Sequence, residues 1–330
     1  MEQIVLPRII SEKRTTPTVY LDSCAIIELA RYKKGICTDA HKKEVGELFN
    51  VLSSLMQNNQ VYCPCGNQLS EVGMTTKRKD ARTFLFQFTN ADFLPPESIF
   101  SKQLKAGYQA YKKEDKSIIL GVDSVYKEDH SYQSPFKIHV APVYAEEKAS
   151  ALCSEKKHIA DVLNKMKSQG QIRERFEDQL TAELEAEYIS FLANVLDNSM
   201  DSEGSFMRYL EEIKRFHRIT GTLPDCDEEQ YTQALISYCL FLTSPYHDFL
   251  PYIWIRANLW THLMQRPNKI KKSDNLDIQW ASAYLPVIDY AVTDNDFCNT
   301  LQKTGLAEMY KVKVYSLNTL QQLIDNLTIK

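Results

Sequence analysis

Apolar and polar positions follow two different rhythms along this chain. Near the N-terminus, TVYLD (18–22) is a β-branched and aromatic run that ends in an acid, which predicts a buried strand. SCAIIELARYKK follows at helical period, with Ile26, Ile27 and Ala30 on one face. HKKEVGELFNVLSSLMQNN (41–59) keeps Val45, Leu48, Leu52 and Leu55 in register and predicts a second amphipathic helix. QVYCP (60–64) predicts a short strand stopped by Pro64. NQLSEVGMTT then predicts a helix carrying Glu71, and TKRKDARTFLFQFTN another. The same alternation returns near the C-terminus. SDNLDIQWASAYLPVI (273–288) opens as a helix with Ser273 or Asp274 as N-cap. DYAVT (289–293) is a strand, DNDFCNTLQKTG a helix closed by Gly305, KVKVYS (311–316) a strand and LNTLQQLIDNL the last helix.

Strands alternating with helices at both ends predict an α/β fold with a parallel sheet and right-handed crossovers. The middle reads differently. ASALCSEKKHIADVLNKMKSQ, RERFEDQLTAELEAEYISFLANVLD, FMRYLEEIKRFHRI and the window 230–265 are helical patterns, with loops expected at 113–143 and 197–204. The expected organisation is a discontinuous domain of residues 1–91 and 271–330, interrupted by a mainly α-helical insertion of 92–270.

Composition narrows the class. With 330 residues, the chain has room for two domains, or for one with a large insertion. A net charge of -4 gives no global basic field, so contact with nucleic acid would need a local patch. The eight cysteines do not form a disulfide scaffold in a chain this long. Cys63 and Cys65 stand too close together for a zinc knuckle, so reduced, buried thiols are expected. The N-terminal residues lack the apolar core of a signal peptide. The most apolar window is broken by Pro245, His247, Asp248, Pro251 and Arg256, which predicts buried helices rather than a membrane span. A cytoplasmic protein with no membrane partner is expected. No Walker loop or G-x-G-x-x-G is present, the histidines lack zinc spacing, and no serine or cysteine sits in a nucleophile motif.

The candidate chemistry lies in the acids. In a parallel sheet, ligands gather beyond the carboxyl ends of the strands. Asp22 closes the first strand, and Asp294 and Asp296 follow DYAVT within TDNDF. Glu71 lies on the helix after QVYCP, and Asp277 on the helix that feeds DYAVT. Singly, each has a plainer reading as a helix cap or a first-turn charge favoured by the helix dipole. Together they fall at one sheet edge, where a carboxylate cluster needs protons or a divalent cation to offset its repulsion. Hard oxygen ligands suit Mg²⁺ or Mn²⁺, the ions of metal-dependent nucleases.

In this arrangement the chain resembles the PIN-domain nucleases, over its first 90 or so residues and its last 60 or so. VYLDSCAIIELA, a Glu in the helix after the second strand and, most specifically, DIQWASAYLPVIDYAVTDNDF carry the resemblance. It implies an α/β/α sandwich whose acidic pocket binds Mg²⁺ or Mn²⁺ and cuts RNA, less often DNA. Matched position by position, it implies Asp22 as central ligand, with Glu71, Asp277 and Asp294 as further acids. It further implies Asp296 as a supporting ligand and Thr293 as the hydroxyl that steadies a carboxylate. The family's members usually run well under half this length, so the insertion is a departure. Lys77, Arg78 and Lys79 on one side, and Arg266, Lys269, Lys271 and Lys272 on the other, would flank the pocket and hold substrate phosphates.

The expected activity is a metal-dependent endoribonuclease with RNA as partner, by analogy a toxin, a defence effector or a dedicated processing enzyme. A DNA or flap-type nuclease and a non-catalytic scaffold are the alternatives. A regulatory or inhibitory protein bound through the insertion, and a homo-oligomer, stay open.

Overall fold

The computed structural model describes residues 7–37, 39–73, 79–127, 146–170, 172–196, 214, 217–221 and 227–328. The strands are β1 (Arg8–Ser11), β2 (Val19–Leu21), β3 (Pro64–Cys65), β4 (Ala91–Asp92), β5 (Ser117–Leu120), β6 (Tyr290–Thr293) and β7 (Lys313–Ser316). The ladders between them are all parallel: β1 with β5, β3 with β4, and β2 and β7 on either side of β6. A parallel bridge from Thr18 to Tyr62 joins β2 to the β3–β4 pair. The main sheet therefore runs β4-β3-β2-β6-β7, and the protein is an α/β fold with short parallel sheets.

The β2–β3 junction is thin for a definite reason. Val19 and Tyr62 complete the bridge through Val19 N to Tyr62 O at 2.8 Å and Tyr62 N to Pro17 O at 2.9 Å. The next residue of this strand facing β2 is Pro64, which has no N–H to give. The Gln68 side chain ties the two strands beyond that gap, its Nε2 donating to Leu21 O at 2.9 Å and to Pro64 O at 3.3 Å. Pro64 thus opens β3 where the sequence pattern has it closing the strand. A second departure is β5, which falls within the loop expected over 113–143. Its Ile118 and Leu120 are buried while Ile119 is exposed, the alternation of a half-buried strand. Residues 128–143 of that loop lie outside the described residues, as do 197–204 and most of FMRYLEEIKRFHRI.

Helices cover both faces of the sheet. They are α1 (Ser23–Lys33), α2 (Lys42–Gln57), α3 (Gln68–Gly73), α4 (Lys79–Phe88), α5 (Pro96–Lys113), α6 (Glu146–Ser168), α7 (Phe176–Leu196), α8 (Glu228–Leu242), α9 (Pro245–Asp248), α10 (Pro251–Gln265), α11 (Asp274–Tyr284), α12 (Asn295–Lys303), α13 (Leu306–Met309) and α14 (Leu320–Thr328). Side chains alternate across the strands, so Val19, Leu21, Val292 and Tyr315 join one core with α1, α2, α4 and α14. Tyr20, Ala291 and Val314 join the other, with α10, α11 and α12. This second core mixes Tyr252, Ile255, Leu259 and Leu263 of the helical middle with Ile278, Trp280 and Tyr284 of α11, so apolar packing is continuous across residue 270. Among the described residues, no helix is long and apolar enough to cross a membrane.

Trp280 is the central side chain of that second core. It is 1% exposed, stacks on Tyr20 at 4.7 Å and meets Phe297 edge-on. It thereby links α11 to β2 and α12. Trp280→Ala is expected to lower unfolding stability by about 3–5 kcal/mol. Urea denaturation followed by circular dichroism measures this, and a loss under about 1 kcal/mol would contradict the role given to this residue.

Candidate functional site

The strand order reverses between β2 and β6. From β2 the chain adds β3 and β4 on one side, and later β6 and β7 on the other. Crossovers leaving in opposite directions open a crevice beyond the carboxyl ends of the two middle strands. The next residue after β2 is Asp22, and the next after β6 is Asp294.

Asp22 is fixed by the ladder, since its N–H donates to Val292 O at 2.9 Å. Its carboxylate is 5% exposed. Oδ1 accepts from Ser23 N at 2.7 Å and faces the Ser23 hydroxyl at 3.3 Å, while Oδ2 accepts from Thr293 Oγ1 at 3.0 Å. Burial pushes the pKa of this carboxyl up to about 6. The Ser23 and Thr293 bonds work against that shift, and the Asp294 charge adds to it. Thr293 is fully buried, and its hydroxyl holds the Asp22 carboxylate.

Glu71, half-buried on α3, is tied to the same place because the Ser23 hydroxyl also reaches its Oε2. Asp277, on the first turn of α11, is 6% exposed. Among the described residues, no donor is bonded to its carboxylate. Burial, followed by the charges of Asp22, Asp294, Glu71 and Asp274, pushes its pKa well above the usual carboxylate range. Asp294 caps α12, with Oδ1 accepting from Asp296 N at 2.8 Å and Phe297 N at 3.0 Å. Capping occupies one oxygen only, so it does not by itself remove either Asp22 or Asp294 from a ligand set.

The structure thus brings Asp22, Glu71, Asp277 and Asp294 within reach of one another's charge, with Thr293 beneath them. Asp296 is placed differently. It is exposed and ion-paired with Lys271, whose bond holds the Asp296 carboxyl below its usual range. Of the basic residues, Arg266 is paired with Asp274 at 2.7 Å and Lys271 with Asp296. Lys269 and Lys272 are exposed. Lys77 and Arg78 lie outside the described residues, and Lys79 opens α4. Ser273 stands at the N-cap position of α11 but makes no side-chain cap, and the Asp274 carboxylate turns to Arg266 and to Lys271 N at 2.9 Å.

Two structural contributors escape the pattern analysis. Ser23, directly after Asp22, is the hydroxyl that couples Asp22 to Glu71. Asn67 donates from Nδ2 to Leu276 O at 3.3 Å and ties α11 to the β3–α3 turn. The DS pair at a strand end was the available signal for Ser23; Asn67 offers none without the fold.

The donor set consists of carboxylate and hydroxyl oxygens, with Asp22 and Asp277 buried and Glu71 and Asp294 half-buried. That fits a hard divalent cation such as Mg²⁺ or Mn²⁺ better than zinc. The Asp277 carboxylate is the observation that fits best, because a largely buried acid without a donor among the described residues is favoured by a proton or a cation beside it. Among the described residues, no three His, Cys, Asp or Glu side chains are drawn together tightly enough to hold an ion as they stand.

The site has a consequence for stability. Asp22 titrates near 3.8 when unfolded and at about 6 when folded, so the folded state holds its proton more tightly. Its contribution is fully present below about pH 4 and is lost as pH rises through about 6. Asp22→Asn is therefore expected to stabilise the cation-free protein at pH 7 by up to about 3 kcal/mol, with little effect at pH 4. Thermal unfolding in EDTA at both pH values checks this, and equal shifts at the two would contradict it.

No family model matches this chain, and no characterised protein or solved structure matches it either.

Proposed function

We propose that this protein is a metal-dependent endonuclease with a PIN-like catalytic domain, cutting RNA at the crevice between β2 and β6. One observation carries the reading. Asp277 is buried without a hydrogen-bond donor among the described residues, facing three other acids at the point where the strand order reverses. Nothing in the packing of a structural helix requires that arrangement. Asp22, Glu71, Asp277 and Asp294 would hold Mg²⁺ or Mn²⁺. The ion would orient and acidify a water and stabilise the leaving oxygen of a phosphodiester. Thr293 and Ser23 position the Asp22 and Glu71 carboxylates by hydrogen bonds. RNA rather than DNA is what the resemblance in VYLDSCAIIELA and DIQWASAYLPVIDYAVTDNDF implies.

The capping bonds of Asp22 and Asp294 favour a second reading, a scaffold whose acids only start helices. Calorimetry with Mn²⁺ separates the two. The nuclease reading expects binding that strengthens from pH 5.5 to 7.5, because the cation competes with the proton on Asp22. Thr293→Val is expected to weaken that binding about 10–100-fold while the fold is kept.

The direct test is cleavage of labelled single-stranded RNA and DNA with Mn²⁺ or with EDTA. Wild type is expected to cut RNA with Mn²⁺ only, and Asp22→Asn and Asp277→Asn to be inactive. RNA cleavage that survives both EDTA and these substitutions would sink the mechanism. Cleavage of DNA alone would move the assignment to a DNA nuclease.

A further inference from the structure

Beside the acidic crevice lies a second depression, of about 510 Å³, that the site above does not use. One wall is α12, where Asp296, Asn299, Thr300 and Lys303 recur at helical spacing on one face. Seven residues of rise give that stripe a length of about 10 Å, starting next to Asp294. The other wall is the end of α10 and the turn after it, with His262, Arg266 and Asn268, and Phe176 from the start of α7.

The groove is built for an anion. Asp296 is the one acid among its described lining residues, and Lys271 neutralises it. Arg266 gives an Nη2 bond to Asp274, yet its buried Nε–H meets no acceptor among the described residues. A buried guanidinium donor without a partner is an offer to a ligand. Beneath the turn, Lys167 Nζ donates to the carbonyl oxygens of Leu263 at 2.9 Å, Arg266 at 2.7 Å and Asn268 at 2.8 Å, placing another cation under the floor. After burial, the charges of Arg266 and Lys303 act on His262 and hold its pKa below the usual value, which shows the sign of the field inside the groove. Phe176 is 36% exposed and presents a ring at the rim.

We propose that this groove binds single-stranded nucleic acid: a phosphodiester lies between Arg266 and Lys303, and a base stacks on Phe176. The strand it holds is the continuation of the one whose neighbouring phosphate enters the acidic crevice, so the proposal rests on the nuclease reading. The helical middle then supplies a positioning surface for substrate, through α10 and α7. Cations give affinity without sequence preference, and an aromatic platform accepts any base, so the groove favours unpaired strands over particular sequences.

The test uses the full chain in EDTA, so that binding is read without cleavage, with a fluorescein-labelled twelve-nucleotide RNA and its DNA counterpart followed by anisotropy. Lys303→Ala is expected to weaken binding several-fold and to reduce the salt slope by about 1. Phe176→Ala is expected to weaken it about tenfold while leaving the salt slope unchanged. Lys105→Ala, an exposed lysine on α5, serves as the charge-matched control and leaves both unchanged. Binding that ignores Lys303 and Phe176, or that responds equally to Lys105, overturns the groove. RNA cleavage with Mn²⁺ that persists alongside such a result leaves the nuclease reading standing. Groove-dependent binding without any cleavage keeps the groove and removes the nuclease. Preference for an equimolar duplex over the single strand also overturns the proposal.

Discussion

Everything at the candidate site depends on the parallel pairing of β2 with β6. Three residues of β2 meet Tyr290, Ala291 and Val292, and the ladder extends one bond further, from Asp22 N–H to Val292 O. That last bond sets the Asp22 side chain against Thr293, a hydroxyl 271 residues away in the chain. The pairing is short, but both strands are buried on both faces, so a slip in register would turn Tyr20 and Ala291 out of one core and Leu21 and Val292 out of the other. The cost of that slip fixes the acids, which have no attraction for one another.

The crevice is a place where the fold works against itself. Four carboxylates share a region that burial makes hostile to charge, and the neighbouring helices hold them there. Trp280 wedges α11 against β2, Asn67 ties its first turn to the β3–α3 corner, and Asp274 clamps it to Arg266. Tyr20 Oη, Trp280 Nε1 and Ser282 Oγ, all within or beside this packing, are buried without partners among the described residues. Unsatisfied groups of this kind concentrate where a structure is organised for something other than its own stability.

Much of this was legible in the chain. The alternating segments near both ends gave the parallel sheet, and YAVT followed by Asp294 placed an acid at a strand end, because a short, mostly apolar run bounded by acids reads as a strand buried on both sides. Gly305 closed its helix as read, in the left-handed conformation at φ 70. Other elements were hidden for physical reasons. SIIL in β5 is too short beside KKEDK to show a period, and it becomes a strand only by meeting β1 more than a hundred residues earlier. Pro64 looked like a stop because a proline ends most ladders; here a glutamine amide four residues on ties the two strands by donating to Leu21 O and Pro64 O. Asp296, expected as a supporting ligand beside Asp294, lies two residues further on, in the first turn of the helix that Asp294 caps, and there it pairs with Lys271. Spacing can bring acids to one edge, yet it does not say which way each faces.

The distance in sequence between the two halves of the crevice also has a temporal meaning. During synthesis, Asp22, Ser23 and Glu71 emerge early, with α1, α2 and α4, ahead of the β6, β7 and α14 residues that complete their core. Thr293 and Asp294 follow only after the whole helical middle has been made. A chain on the ribosome therefore carries an incomplete crevice until those residues are made, and assembly of the site needs a contact that spans 271 residues. Whatever chemistry the acids perform begins only once both halves of the crevice have been made and have met.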